Sequence, residues 1–131
     1  MTSFERSFTA APADIDELGH VNNAVWVRWI QELATSHWYA AADPAYAHAY
    51  IWVVVRHEID YLRPLLVQET ATGRTWVPEA PRGARFDRLV EFVGSAGKPL
   101  VRARTTWAMI DRSTGRPARV PPDIAATFLA T

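Results

Sequence analysis

The stretch that decides the fold is 14–34, DIDELGHVNNAVWVRWIQELA, where a polar loop runs directly into a long and mostly apolar helical pattern. The apolar positions recur at intervals of four, three and four residues, as on one face of an α-helix: Trp26, Ile30, Leu33 and His37. A helix that is apolar around most of its circumference has to be buried. We therefore expect a β-sheet to wrap around it.

The sequence around this helix predicts a sheet of about five strands. Asn22 or Asn23 can cap the helix start, and Asp43 should end it because a residue before proline is driven out of the α region. Runs rich in β-branched and aromatic residues predict one strand before the helix and four after it, at 4–10, 51–62, 70–77, 85–94 and 99–111. The predicted fold is α+β, with an antiparallel sheet wrapped around one long central helix in a single domain, 1–131.

The composition narrows the possible functions. The 131 residues are 49% hydrophobic and carry a formal net charge of zero, which suits one buried core and gives no bulk attraction to nucleic acid or membrane. The absence of cysteine excludes disulfides, thiolate nucleophiles and Cys-ligated zinc. No signal-peptide pattern and no apolar run of ~18 residues is present. We expect a cytoplasmic protein with carboxylate, histidine or hydroxyl chemistry and with no nucleic-acid or membrane partner.

The polar loop has the residues that such chemistry needs. A loop that ends at a helix N-terminus collects unpaired N–H groups and the positive end of the helix dipole, both of which favour an anionic oxygen. Beside these donors, Asp16 can act as a nucleophile or as a general base for water, or it can simply close an Asx turn. The N–H of Asn23 can polarise a carbonyl group. The Asn22 and Asn23 side chains are also preferred helix caps.

The pattern D-x-D-x-x-G-H-V-N-N before an aromatic-rich helix resembles the opening of hotdog-fold acyl-CoA thioesterases, in their 4-hydroxybenzoyl-CoA thioesterase-like and acyl-ACP thioesterase branches. Two further blocks, EIDYLRPL at 58–65 and TGRP at 114–117, resemble the second strand and the C-terminal end of that family. The resemblance implies a hotdog domain that hydrolyses an acyl-CoA to a free acid and CoA. It also implies a homodimer or homotetramer, with coenzyme A as part of the substrate and no separate cofactor.

The resemblance also assigns the catalytic residues. Asp16 matches the family's catalytic acid, three residues before the glycine of the motif, here Gly19. His20 matches a histidine that the acyl-ACP branch counts in its active site. It could orient Asp16, bond the thioester oxygen, carry a proton, or be structural. Leu18 stands where the acyl-ACP branch places an asparagine that supports the carboxylate, so the chain departs from that branch. The predicted catalytic set is Asp16, His20 and Asn23.

Other residues are candidates for substrate binding. Three arginines form a local cluster in and after the PRGAR turn, and guanidinium forks suit the phosphates of coenzyme A. Trp26 could line the acyl pocket or belong to the core. Glu58 could be a second active-site acid or the solvent-facing half of a strand alternation. The predicted substrate-binding set is Gly19, Asn22, Trp26, Glu58, Arg82, Arg85 and Arg88.

Two other functions fit the same residues. A hotdog protein could bind acyl-CoA without turning it over. A hotdog enoyl-CoA hydratase also uses an aspartate and a histidine before this helix, but with Asn-Pro between them and a longer spacing, where this chain has Glu17, Leu18 and Gly19. His37 and His48 have no further ligand at metal spacing, so no metal site is predicted.

Overall fold

The computed structural model describes residues 3–129, which form one antiparallel sheet around a 19-residue helix. The predicted α+β architecture is confirmed, with strand order β1-β3-β4-β5-β2. Residues 1, 2, 130 and 131 of the predicted domain lie outside the described residues. The elements are β1 Ser3–Thr9, α1 Asn23–Ala41, α2 Pro44–Ala49, β2 Tyr50–Tyr61, β3 Thr70–Trp76, β4 Arg85–Val93, β5 Pro99–Asp111 and α3 Pro122–Leu129.

Local capping explains where α1 begins and ends. The Asn22 side chain accepts a hydrogen bond from the Ala24 N–H at 2.9 Å and is the N-cap. The helix stops before Asp43, whose carboxylate accepts from the Ala45 N–H at 2.8 Å and caps α2, with Pro44 at its first position. The predicted end of α1 before Pro44 is confirmed, whereas α2 was not predicted. No helix within residues 3–129 is long and apolar enough to cross a membrane.

The apolar face of α1 packs on one face of the sheet, in two clusters. Its N-terminal half packs with β4 and β5, and Ile30 and Leu33 are fully buried. The C-terminal half of α1 contributes to the second cluster, in which Trp38 packs with residues of α3. Helix α1 packs tightly over Gly73 of β3, where an added Cβ would lie 2.7 Å from Phe92 and 2.9 Å from Leu33. A larger residue at Gly73 would push α1 off the sheet.

Strand β2 is one edge of the sheet and leaves an apolar surface exposed. Within residues 3–129 it pairs with β5 only, and a bulge between Val54 and Arg56 interrupts the register. On its outer face Ile51, Val53 and Val55 are 36%, 43% and 43% exposed. An unpaired edge with exposed β-branched residues is a surface that another strand can extend.

Candidate active site

Asp16 and His20 close a tight loop just before α1. The Asp16 N–H donates to the His20 carbonyl at 2.8 Å, and Ile15 and Val21 form a β-bridge on either side. Gly19 has φ +81°, while a Cβ added there would meet nothing within 4 Å. The loop therefore needs glycine for its backbone conformation and not for space.

One oxygen of the Asp16 carboxylate holds this loop together. Its Oδ1 accepts from the Leu18 N–H at 2.9 Å and from the His20 N–H at 3.2 Å. This is the Asx-turn arrangement that the sequence offered as the structural alternative. No residue in the described part of the chain donates to Oδ2 of this half-buried side chain. The structural role thus uses one oxygen and leaves the other available for chemistry.

The second carboxylate of the motif, Asp14, is fully occupied. Its Oδ1 accepts from Arg28 at 3.1 Å and its Oδ2 from the Ala11 N–H at 2.9 Å. Its carbonyl accepts from the Asn22 N–H at 2.9 Å. Asp14 therefore fastens the loop to α1. Across residues 3–129, no group of three His, Asp or Glu side chains comes together to hold a metal ion.

The start of α1 offers donors next to this loop. The Asn22 side chain is used as the cap, so its amide is structural. The N–H of Asn23, in the first turn, has no acceptor among residues 3–129, as expected for a helix N-terminus. The His20 ring is half-buried and makes no hydrogen bond to a described residue. Within eight positions, the chain therefore presents a carboxylate oxygen, an imidazole and an open backbone donor.

Trp26 and Glu58 lie in very different places. Trp26 is 2% exposed and packs edge-on against Trp29 and Phe92, at ring distances of 5.2 and 5.1 Å. Trp26 is therefore a core residue. Glu58 is exposed on the face of β2 that points away from α1, with Arg56 at 3.0 Å. This position matches the solvent-facing alternative for Glu58.

The sheet separates Arg88 from the other two arginines of the predicted cluster. Arg85 and Arg88 are three positions apart on β4 and face opposite sides, because side chains alternate along a strand. Arg85 is exposed, whereas Arg88 lies beneath α1 with 8% exposure. Arg82 is exposed and pairs with Asp87 at 3.3 Å.

A buried polar network under the C-terminal half of α1 was not predicted. Arg88 Nη1 donates to His37 Nδ1 at 2.8 Å and to Thr75 Oγ1 at 3.3 Å. Burial and the charge of Arg88 lower the pKa of His37 to about 4, so this histidine is neutral at neutral pH. Burial lowers the pKa of Arg88 to about 10, which leaves it a cation. The inward pattern of β4, with Phe86, Arg88 and then Val90, is the sequence signal that could have revealed it.

A sheet of five antiparallel strands around one helix, with a carboxylate loop at the helix N-terminus, defines a hotdog domain of the thioesterase type. The model of a family described as the Thioesterase-like superfamily matches residues 10–128, and the chain belongs to this superfamily. The hotdog family predicted from the sequence is thereby confirmed.

Three similar proteins illustrate this membership. An uncharacterized protein of Mycobacterium tuberculosis is 30% identical over 122 residues, which are 92% of this chain and 47% of that protein. An acyl-ACP thioesterase structure from Bacteroides thetaiotaomicron is 26% identical with a TM-score of 0.79, covering 90% of this chain and 49% of that one. A Thermus thermophilus thioesterase, solved with coenzyme A and Zn, has a TM-score of 0.81 at 22% identity, with 95% and 90% covered. The chain spans about half the length of the curated relative.

Proposed function

We propose that the protein is an acyl-CoA thioesterase, which hydrolyses a thioester to a free acid and CoA, and that Asp16 carries the chemistry. The observation that carries this proposal is the divided use of the Asp16 carboxylate. Its Oδ1 is fixed by two backbone N–H groups, and its Oδ2 has no partner among residues 3–129. Membership of the Thioesterase-like superfamily and the likeness to the Thermus thermophilus thioesterase solved with coenzyme A support the proposed substrate class.

The carboxylate can act in two ways that give the same products. Asp16 Oδ2 can attack the thioester carbon, expelling the CoA thiolate and forming a mixed anhydride that water then hydrolyses. Alternatively, it takes a proton from a water molecule as that water attacks the carbonyl and the thiolate leaves. In both routes the proton ends on the thiol or in solvent, and the carboxylate is regenerated.

The start of α1 would stabilise the charge that develops on the carbonyl oxygen. The N–H of Asn23 has no acceptor in the described part of the chain, and a donor of this kind typically supplies about 3 kcal/mol to the transition state. The positive end of the helix dipole adds to it. We assign the His20 ring to a hydrogen bond with the reacting groups, since the backbone N–H of His20 binds Asp16 Oδ1 and the ring has no hydrogen-bond partner among residues 3–129.

Coenzyme A would be held by exposed residues, with no separate cofactor. Of the predicted arginines, Arg82 and Arg85 remain on the surface. Arg82 shares its charge with Asp87 and Glu79, at 3.3 and 3.8 Å, whereas Arg85 has no ion pair within residues 3–129. Arg85 is therefore the stronger candidate for a phosphate contact. The cytoplasmic location stays a prediction.

We further propose a homodimer that pairs two β2 strands, with a homotetramer built from such dimers as the alternative. Pairing would satisfy the open backbone edge of β2 and place a second strand beside Ile51, Val53 and Val55. The chain covers 47% and 49% of the Mycobacterium and Bacteroides proteins, which leaves each of them room for a second domain of this size. In a homodimer of this protein, a second copy of the chain would take the position of such a second domain.

Asp16→Asn tests the catalytic assignment. Asparagine keeps an oxygen for the two N–H groups that bind Oδ1 but cannot act as a base or an effective nucleophile. Release of free thiol from short, long and aromatic acyl-CoAs should fall by at least about 100-fold in a folded variant. Glu17→Gln is the matched control, because it removes an exposed carboxylate from the same loop and should leave turnover unchanged.

The other outcomes of this assay separate the alternatives. Acyl-CoA binding without turnover in the wild type would favour the non-catalytic binding protein. Loss of the enoyl absorbance of a short 2-enoyl-CoA without thiol release would favour the hydratase. Equal turnover in wild type and Asp16→Asn would move the chemistry to another carboxylate, and Glu58→Gln would then be measured first.

The dimer is tested by placing a charge on the open edge. Val53→Lys should shift the mass towards that of a monomer in light scattering, because a lysine on an edge strand disfavours pairing with another strand. Ala126→Lys, at an exposed position on α3, is the matched control and should keep the wild-type mass. An unchanged mass for Val53→Lys would exclude pairing through β2.

A further inference from the structure

The ion pair between Asp14 and Arg28 connects the loop of the candidate active site to the second turn of α1. Arg28 Nη2 donates to Asp14 Oδ1 at 3.1 Å, across 14 positions of the chain. The Asp14 side chain is 13% exposed and the Arg28 side chain is 54% exposed. An ion pair with one partner this open to solvent contributes little to the stability of a fold.

Asp14 is the residue through which this pair acts on the loop. Its Oδ2 accepts from the Ala11 N–H at 2.9 Å, and its backbone carbonyl accepts from the Asn22 N–H at 2.9 Å. Asn22 is the N-cap of α1 and precedes Asn23, whose N–H we assign to the thioester oxygen. Asp14 thus binds the start of the loop, the cap of α1 and, through Arg28, the second turn of the helix.

The proposed chemistry depends on the distance between two groups that these contacts connect. The Asp16 carboxylate belongs to the loop, two positions after Asp14, whereas the Asn23 N–H belongs to the helix. The hydrogen bonds of Asp16 Oδ1 to the Leu18 and His20 N–H groups fix the carboxylate within the loop and do not join it to α1. A displacement of about 1 Å between reacting groups can cost about 100-fold in rate.

We propose that Arg28 is a positioning residue for thioester hydrolysis, which through its ion pair with Asp14 holds the Asp16 carboxylate in place relative to the Asn23 N–H. This inference rests on the proposed function. In this role Arg28 contacts Asp14 and not the substrate. Removal of either charge of the pair should then lower the rate, whereas a purely electrostatic effect at a distance would have opposite signs for Arg28 and Asp14.

Thiol release from the best acyl-CoA substrate tests the role of Arg28. Arg28→Gln removes the charge and should lower kcat about tenfold or more with KM within about twofold, because the contact aligns groups used in the transition state. Arg28→Lys keeps a cation that can donate to Asp14 and should stay within about threefold of the wild-type kcat. Glu32→Gln is the matched control, because it removes the other carboxylate beside Arg28, at 3.6 Å, and should leave kcat unchanged. In each variant the urea midpoint should fall by at most about 0.5 M.

Asp14→Asn separates positioning from an effect of charge. Asparagine can still accept from the Ala11 N–H but forms no ion pair with Arg28. Its kcat should fall as in Arg28→Gln, and the double variant should be within about threefold of the slower single variant, as for two residues that act as one unit. A rise of kcat in Asp14→Asn, or losses that multiply in the double variant, would overturn the proposal.

Amide hydrogen exchange measures the loop without the reaction. The Leu18 and His20 N–H groups bind Asp16 Oδ1, and they should exchange about threefold faster or more in Arg28→Gln but not in Glu32→Gln. Unchanged kcat in Arg28→Gln, or a loss of kcat without faster exchange, would overturn this inference and leave the proposed function standing if Asp16→Asn is inactive. Absence of thiol release by the wild type, or full activity of Asp16→Asn, would overturn both.

Discussion

The two ends of α1 show two different ways of building a polar site. At the N-terminal end, Asp16 is held by the N–H groups of Leu18 and His20, two and four positions away in the chain. At the C-terminal end, His37 is joined to Arg88, 51 positions away, beneath the helix. The first site is local and partly open, so its chemistry can be read from a motif. The second is assembled by the fold and buried, so its properties are tied to the stability of the whole domain.

The largest effect on stability is expected at the buried C-terminal end of α1 when the pH is lowered. The pKa of His37 is about 4 in the folded protein and 6.5 in an unfolded chain. The unfolded state therefore binds the proton first as the pH falls. Stability contributed by neutral His37 is complete above about pH 7 and is lost between about pH 6.5 and pH 4, by about 2–3 kcal/mol. Urea unfolding across this range measures it.

His37→Asn is the control for this effect. Asparagine still offers an oxygen to Arg88 but does not titrate, so other acid-sensitive groups, including His57, whose pKa burial also lowers, act in both proteins. The variant should lose less stability than the wild type on acidification. Equal losses of stability in the two proteins would mean that His37 binds a proton as readily in the folded state as in the unfolded state. The contrast between the two ends of α1 would then lose its basis.

The same contrast explains which parts could be predicted from the sequence. The five strands and the bounds of α1 follow from short-range patterns, and the structure places them within about two residues of the prediction. The six residues of α2 were missed because a single turn with a Pro start has little periodicity. Arg88 was grouped with Arg82 and Arg85 as a candidate for phosphate binding because the three lie close together in the chain. Its partners, His37 and Thr75, are distant in the chain, so only the inward alternation of β4 could have placed it.

A moderate effect is expected at Gly19 in the local site. Its φ of +81° is unfavourable for any residue with a Cβ, although no neighbour lies within 4 Å of that atom. Gly19→Ala should therefore cost about 1–2 kcal/mol of unfolding free energy through the backbone alone. Gly94→Ala is the matched control, because its φ is not in the left-handed region and its Cβ would make ordinary contacts with Leu100. Equal effects of the two changes would contradict the strained-loop account.

The smallest effect separates side chain from backbone at the helix start. Asn22→Ala removes the cap on the Ala24 N–H and should cost about 1 kcal/mol. Asn23→Ala keeps the backbone N–H that we assign to the thioester oxygen and removes a side chain with no capping role. Its stability should change by less than about 0.5 kcal/mol, and its rate of thiol release should stay at the wild-type level. A large loss of turnover in folded Asn23→Ala would instead place the Asn23 amide against the substrate, and the open end of α1 would then act through a side chain as well as through its backbone.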